Sequence, residues 1–221
     1  MSQYPSLLVK CAQIVGISTA FLGAGGIATL SLFDVPLLRS QPGERSLPMT
    51  RWLFSRGSHI FPQVAFVSST SFVYLAYNAI PQGDRAFLAA IRASCQGGKA
   101  SFYLAAAVLT LGIAPFTTFV MIPTNFALIQ KNEDKGGARS DRSANFGANG
   151  GRTAEDSVSG ENDVNELSDV SGPQERTIKD TDRKDDDEVR ALLSRFSKLN
   201  TVRAVLMGLG GFVGLIAALS F

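Results

Sequence analysis

The fold of this chain is decided by residues 100–122, which read ASFYLAAAVLTLGIAPFTTFVMI and contain no charged side chain. As a helix, a stretch of this length extends about 35 Å, enough to cross a hydrocarbon core of about 30 Å with some tilt. Open strands are excluded in lipid because their backbone groups would have no partners. The stretch therefore predicts a membrane-spanning helix, and we expect it to end at Pro123-Thr124-Asn125.

Three further runs without charge lie at residues 11–33, 60–80 and 204–221. A secretory signal is the alternative for the first run, but the run is longer than the apolar region of such a signal. Soluble helices rarely stay free of charge for about 20 residues, so four such runs favour the membrane. The predicted fold class is an all-α membrane protein, a four-transmembrane-helix bundle with a long disordered loop between helices 3 and 4.

The predicted loop, residues 131–188, differs sharply in composition from the rest of the chain. It holds 16 of the 19 acidic and 9 of the 21 basic residues, and it is rich in Gly, Ser, Asn and Asp. Because it has few apolar residues and no sustained periodicity, it cannot offset its ordering entropy by burial. We therefore expect a disordered acidic linker, and we assign it no chemistry.

Residues 189–221 follow that linker and are predicted to pack with residues 1–130 as one domain. Apolar residues recur at helical spacing from Val189 to Leu199, with basic residues off that stripe. This pattern is typical of an amphipathic helix lying on the membrane before the fourth span. Within that span, Gly210, Gly214 and Ala218 form a small-residue face that suits internal helix packing or homo-oligomers.

The predicted topology places both termini on one side of the membrane and the long linker on the other. Lys and Arg residues close to the spans are more numerous on the linker side, so that side is expected to be cytoplasmic. We expect an integral, multi-pass protein of the endoplasmic reticulum or another endomembrane.

Composition excludes several classes of site. The chain has one histidine and two cysteines, too few for a histidine-ligated metal site, a bis-histidine haem or a disulfide framework. It contains no Gly-rich phosphate loop opening a helix and no nucleophile-elbow motif. The composition therefore gives no sign of a metal, flavin or nucleotide site, and we expect no nucleic-acid partner.

The topology brings scattered polar residues to one end of the bundle, because all four predicted spans begin or end there. Singly, each has an ordinary explanation: His59 as a cap, Trp52 as an interface anchor, Arg203 as a side chain reaching lipid phosphate. Together they predict one pocket, because polar groups near apolar depth are costly unless they serve a function. The residues concerned are Asp34, Trp52, Arg56, His59, Thr124, Asn125, Asn200 and Arg203.

Four segments at these edges resemble the fungal anthrone oxygenases, small four-span membrane proteins of polyketide pathways. They are residues 26–38 (GIATLSLFDVPLL), 51–62 (RWLFSRGSHIFP), 114–125 (from Ala-Pro-Phe-Thr to Met-Ile-Pro-Thr-Asn) and 199–203 (LNTVR). The resemblance covers all four spans and not the linker, which is longer than the family pattern. Phe196 is a departure, since tryptophan is expected there, and it puts the substrate in question.

The resemblance implies oxidation of an anthrone, an aromatic polyketide, to the anthraquinone by dioxygen as co-substrate, without metal or flavin. The CH₂ between the two aryl rings of an anthrone is acidic, and its anion can pass an electron to O₂. As a hypothesis, His59 is the base, or Asp34 if His59 is protonated. Arg203, Asn200 and Asn125 would stabilise the oxyanion. Trp52, Arg56 and Thr124 would bind the substrate.

Two other classes of protein remain open from the sequence. A non-catalytic four-span scaffold or partner protein would fit the spans but has no need of clustered polar residues. A small-molecule transporter fits less well, because the spans contain no ionisable residue near mid-depth.

Overall fold

Every regular element that the structure describes is helical. The computed structural model describes residues 6–81, 97–147 and 150–220. In chain order the helices are α1 (Leu7–Thr29), α2 (Val35–Arg39), α3 (Gly43–Ala79), α4 (Lys99–Leu111), α5 (Ile113–Phe116), α6 (Ile122–Asp134), α7 (Asp141–Phe146), α8 (Ala154–Ser159) and α9 (Arg183–Ser220). The all-α class is confirmed.

Four helical segments are long and apolar enough to cross a membrane, as predicted. They are Leu7–Arg39, Gly43–Ala79, Lys99–Asp134 and Arg183–Ser220. Large apolar side chains point outward from them, for example Phe66 (65% exposed) and Val108 (64% exposed). Apolar side chains that point outward from long helices are stable in lipid. The protein is therefore a multi-pass membrane protein.

The helices extend well beyond the charge-free runs, which corrects the predicted helix ends. The third segment does not end at Pro123-Thr124-Asn125 but continues to Asp134. The second begins at Gly43, not just before Ile60. The predicted site residues therefore lie within helices and not at their ends, because polar sequence outside lipid is also helical here.

Two π-helical turns allow the first and third segments to continue past a proline. The first turn is Leu30–Asp34 and is followed by Pro36; the second is Thr117–Met121 and is followed by Pro123. A proline inside a regular helix lacks an N–H and clashes with the carbonyl four residues earlier. A wider turn at that point relieves the clash, and such turns are frequent at functional sites.

The chain divides into two compact units, and the first comprises the described parts of 1–28, 61–116 and 202–221. Its core includes Ile27, Phe72, Tyr103 and Met207, each at most 1% exposed. A Cβ added at Gly214 would lie 2.3 Å from Cε1 of Phe72. Gly210 and Gly214 of the small-residue face are thus packed against residues of the same chain, and self-association through this face stays a prediction.

The second unit comprises residues 29–60 and 117–201, and it includes the long connection between the third and fourth spans. The sequence predicted disorder for 131–188, whereas its described residues contain α7, α8 and a set of buried charges. Arg139 is 2% exposed, 3.7 Å from Asp163 and 3.6 Å from Glu166. Oppositely charged side chains, not an apolar core, hold this long loop, and composition alone does not reveal such pairing.

The predicted amphipathic helix is present as the first part of α9, which runs without a break into the fourth span. Its apolar stripe is covered by protein: Val189 is 1%, Leu193 0% and Phe196 6% exposed. Within the second unit this stripe therefore contributes to the core, where the sequence predicted contact with the membrane surface.

Candidate active site

A pocket in the second unit is lined by Asp34 and otherwise mostly by apolar side chains. Its free volume is about 20 Å³, room for about one water molecule. It is formed where the first π turn, α2, the first third of α3 and the first part of α9 face one another. The lining residues are Leu30, Asp34, Val35, Leu38, Thr50, Leu53, Phe54, Leu193 and Phe196.

Asp34 is the one ionisable residue in the otherwise mostly apolar lining of this pocket. Its carboxylate makes no hydrogen bond or ion pair with any residue in the described ranges. The Thr50 hydroxyl donates to the Ser46 carbonyl at 2.6 Å and keeps lone pairs for a second partner. A carboxylate without protein donors is available to accept a proton from a bound molecule.

Two phenylalanines form the aromatic wall of the pocket. The ring centroids of Phe54 and Phe196 lie 5.0 Å apart at an interplanar angle of 54°, a tilted pair. Phe196 is the residue at which the sequence departs from the family pattern, and the structure places it beside the same pocket as Asp34. Sequence reasoning missed Phe54, for which no motif gave a signal.

Asn200 lies close to this pocket, but its side chain is hydrogen-bonded within the protein. It is 0% exposed, and its Nδ2 donates to Oγ of Ser31 at 3.0 Å. Ser31 belongs to the same π turn as Asp34, and its Oγ also donates to the Ser197 carbonyl at 3.2 Å. Asn200 therefore ties the turn that bears Asp34 to α9.

A second group of predicted residues lies on α3 from Trp52 to His59 and binds the long connection. Nε1 of Trp52 donates to the Ser171 carbonyl at 2.9 Å, and Nη2 of Arg56 donates to the same oxygen at 3.1 Å. The Arg56 guanidinium also lies 5.4 Å from the centre of the Trp52 ring. Both side chains are thus used within the protein, and the indole N–H is not available to a substrate.

Each ring nitrogen of His59 lies close to a polar side chain. Nδ1 lies 3.1 Å from Oγ of Ser58, and Nε2 lies 3.7 Å from Oε2 of Glu166. Glu166 also accepts a hydrogen bond from Ser55 and lies near Arg139. Sequence reasoning missed Glu166 because it assigned no chemistry to the linker, and an isolated glutamate in an acidic segment carries no signal.

The loop that receives Trp52 and Arg56 is held by Asp169. Oδ1 of Asp169 accepts hydrogen bonds from the Ser171 amide at 3.0 Å and from its hydroxyl at 2.7 Å. Burial opposes ionisation of Asp169, but these bonds, together with one from Ser140, outweigh it and hold the pKa of the carboxyl below its usual value. Asp169 therefore stays ionised and fixes the Ser171 carbonyl.

Thr124 and Asn125 present polar atoms that have no partner within the described ranges. Oγ1 of Thr124 and Oδ1 of Asn125 are both buried and without a hydrogen bond. Native proteins leave few such atoms, so each calls for an explanation. An amide oxygen accepts hydrogen bonds and the amide can rotate to present its NH₂, so Asn125 can serve either a hydroxyl or an anion.

Arg203 belongs to the first unit, whereas the other seven predicted residues belong to the second. Its guanidinium lies 5.7 Å from the centre of the Phe61 ring. The structure thus places Asp34 and Asn200 around one π turn, and Trp52, Arg56 and His59 on one face of α3. Among the described residues, no three His, Cys, Asp or Glu side chains form a metal-binding group.

Comparison with known proteins gives one family. The model of the family described as "Anthrone oxygenase" matches residues 51–213. The anthrone oxygenase encC of Aspergillus fumigatus is 27% identical over 213 residues, covering 94% of this chain and 92% of that protein. An anthrone oxygenase of Claviceps purpurea is 31% identical over 120 residues, covering 52% of this chain and 59% of that protein. No solved structure matches the chain.

Proposed function

Since this chain belongs to the anthrone oxygenase family, we propose that it oxidises a polyketide anthrone to the anthraquinone with dioxygen, without metal or organic cofactor. The reaction balances as one anthrone and one O₂ giving one anthraquinone and one water. The observation that carries the proposal is the Asp34 carboxylate, which lacks a protein partner in the described ranges and faces an apolar, aromatic pocket.

Asp34 acts as the base. It takes one proton from the acidic CH₂ of the bound anthrone, and the ring system becomes an electron-rich anion. This anion passes one electron to O₂, and the resulting radical and superoxide combine to form a C–O bond. Protonated Asp34 returns its proton to the outer peroxide oxygen. Loss of the second C–H proton then forms the carbonyl as the O–O bond breaks, and the departing hydroxide combines with that proton to give water. The only electron acceptor needed is O₂.

The geometry favours Asp34 over His59 for this step. A general base must reach the proton that it removes, within about 2.6–3.2 Å. Asp34 lines a cavity, whereas the ring nitrogens of His59 face Ser58 and Glu166. His59, Trp52 and Arg56 position the long connection on α3 in this proposal. Asn125, with its unpaired amide oxygen, remains a candidate for binding a substrate hydroxyl or stabilising the oxyanion.

The size of the pocket sets a condition on substrate entry. Small-molecule sites commonly have volumes of about 300–1,000 Å³, whereas the free volume of this pocket is about 20 Å³, room for about one water molecule. A flat three-ring substrate therefore enters by displacing the Phe54 and Phe196 rings, which stack on it once it is bound. Dispersion with both rings then replaces their contact with each other.

The test is turnover of emodin anthrone by the purified protein in lipid, followed by quinone absorbance with and without O₂. Anthrones oxidise spontaneously, so the rate is compared with protein-free vesicles. Asp34→Asn keeps the size of the side chain and removes the base, and Asp187→Asn, on an exposed carboxylate of α9, is the matched control. We expect loss of turnover in the first variant alone. Wild-type turnover no faster than protein-free vesicles would favour a non-catalytic scaffold.

Retention of activity after treatment with a metal chelator tests the second part of the proposal. Full activity in the treated protein is the expected result. Loss of activity that returns with an added metal ion would show that the reaction depends on a metal.

A further inference from the structure

We propose that the loop formed by residues 166–171 docks on the lipid surface, with Leu167 and Val170 entering the boundary between headgroups and acyl chains. The partner is the bilayer that the four spans cross, at the level where α3 enters it. This surface is separate from the pocket around Asp34, and the inference does not depend on the reaction.

The two apolar side chains are held outward by an ordered loop. Leu167 is 79% and Val170 92% exposed, although they lie in a segment with few apolar residues. The Leu167 amide donates to Oδ1 of Asn165 at 3.0 Å, and Asp169 holds Ser171 by two hydrogen bonds. Hydrogen bonds thus fix the backbone on both sides, and the exposure of Leu167 and Val170 is a property of the fold.

The loop is attached to α3 immediately before its charge-free run. Glu166 approaches His59, and the Ser171 carbonyl accepts from Trp52 and Arg56. The run begins at the next residue after His59, with Ile60 55% exposed. Tryptophan and arginine are typical of the interface region on such helices. The attachment therefore puts Leu167 and Val170 at the height of the membrane surface.

Lipid fits this surface better than a protein does. A stable protein interface buries about 800 Å² on each partner, far more than two side chains provide. The carboxylates beside them are compensated, Glu166 by Arg139 and Asp169 by hydrogen bonds from Ser140 and Ser171. They add little repulsion from anionic lipid. A small apolar tip on an already tethered loop suits shallow insertion into a bilayer.

Site-directed spin labelling tests the proposal on the full chain in phosphatidylcholine vesicles. Cys11 and Cys95 are first replaced by Ser, and Leu167→Cys and Val170→Cys are labelled one at a time. Accessibility of each nitroxide is then measured to O₂, which concentrates in lipid, and to a water-soluble nickel chelate. The emission of Trp52, the single tryptophan of the chain, checks that each labelled protein is folded.

Two further positions calibrate the measurement. Val73→Cys, at a 52% exposed residue of the second span, reports lipid. Ile178→Cys, at a 63% exposed residue of the same connection, reports water. The neighbouring Thr177 amide donates to the Glu44 carbonyl at 2.8 Å. Glu44 precedes Ile60 on α3 by 16 residues, or about 24 Å of helix, so Ile178 is a matched apolar residue far from the proposed surface.

We expect the ratio of O₂ to nickel accessibility at Leu167 and Val170 to exceed that at Ile178 several-fold and to approach that at Val73. A ratio equal to that at Ile178 overturns the proposal, since the loop would then be in water. Shielding from both reagents, with spin–spin broadening at higher protein density, would assign the surface to a second copy and also overturn it.

Discussion

Glu166 lies beside His59, with 3.7 Å between its Oε2 and the ring Nε2, although the two residues belong to separate chain segments of the second unit. The other ring nitrogen lies 3.1 Å from the Ser58 hydroxyl. The single histidine of the chain is thereby engaged in attaching the long connection to α3. This relationship separates the two bases that the sequence left as alternatives.

We therefore expect His59→Gln to keep turnover within about tenfold of wild type, whereas Asp34→Asn loses about a hundredfold or more, the range of general-base contributions. The glutamine amide still offers a donor and an acceptor to Ser58 and Glu166, so the connection stays attached. Initial rates of quinone formation in purified, folded variants check this. The opposite order of the two losses would return the role of base to His59.

Phe196 is predicted to control which anthrones are accepted. Phe196→Trp places a larger ring in the wall of the pocket around Asp34, so kcat/KM should fall more for anthrones with bulky ring substituents than for unsubstituted anthrone. Phe212→Trp, at a 55% exposed position of the same helix, is the control and should leave the ratio unchanged. Equal losses for all substrates would show that Phe196 has no part in selectivity.

Asn200 is predicted to support the fold more than the chemistry. Asn200→Leu leaves the Ser31 hydroxyl without its donor and should lower the free energy of unfolding by about 1–3 kcal/mol. Thr201→Ala, at an exposed neighbour that bonds only to its own helix, should have a much smaller effect. Thermal unfolding in detergent measures both. If Asn200→Leu loses turnover while keeping its melting temperature, a direct catalytic role follows.

Helix packing in the first unit depends on glycine at 214. A methyl group there would lie 2.3 Å from the Phe72 ring, so Gly214→Ala should destabilise the bundle by about 1–3 kcal/mol, as overpacking does. Gly208→Ala is the matched control, because its Cβ would lie at an ordinary 3.6 Å from that of Ala24. Similar melting temperatures in the two variants would contradict the packing described here.

The ionised carboxylate of Asp169 stabilises the attachment of the loop, and we expect this stabilisation to be lost at acid pH. Its pKa is lowered in the folded protein, because the hydrogen bonds from Ser140 and Ser171 outweigh the effect of burial. A lowered carboxyl pKa contributes stability above the unfolded value, about 3.9, and this contribution is lost as pH falls through the folded value. Asp169→Asn should therefore be less stable than wild type at pH 7.

That difference in stability should shrink at and below about pH 4, the unfolded carboxyl value. Trp52 reports the attachment directly, since its N–H donates to the Ser171 carbonyl. Its emission, recorded during denaturation at several pH values in wild type and variant, is the measurement. A difference that is constant with pH would show that ionisation of Asp169 has no part in holding the loop.

The membrane-spanning segments were predictable from sequence because lipid imposes a one-dimensional requirement. About 20 consecutive residues without charge suffice to identify a span, whatever its neighbours are. The residues at which the helices end were harder to predict. Pro123 indicated a helix end, but the π turn Thr117–Met121 lets the helix continue, and nothing in the local pattern distinguishes the two outcomes.

The residues of the site were likewise only partly predictable from the sequence. The sequence by itself determined four spans, the family resemblance and a set of polar residues near one face, because these follow from local composition and short motifs. Only the tertiary structure decided that Asp34 shares a pocket with Phe54 and Phe196, and that His59 faces Glu166. Those neighbours are remote along the chain, and the charge pairs that hold the long connection leave no periodic trace in its sequence.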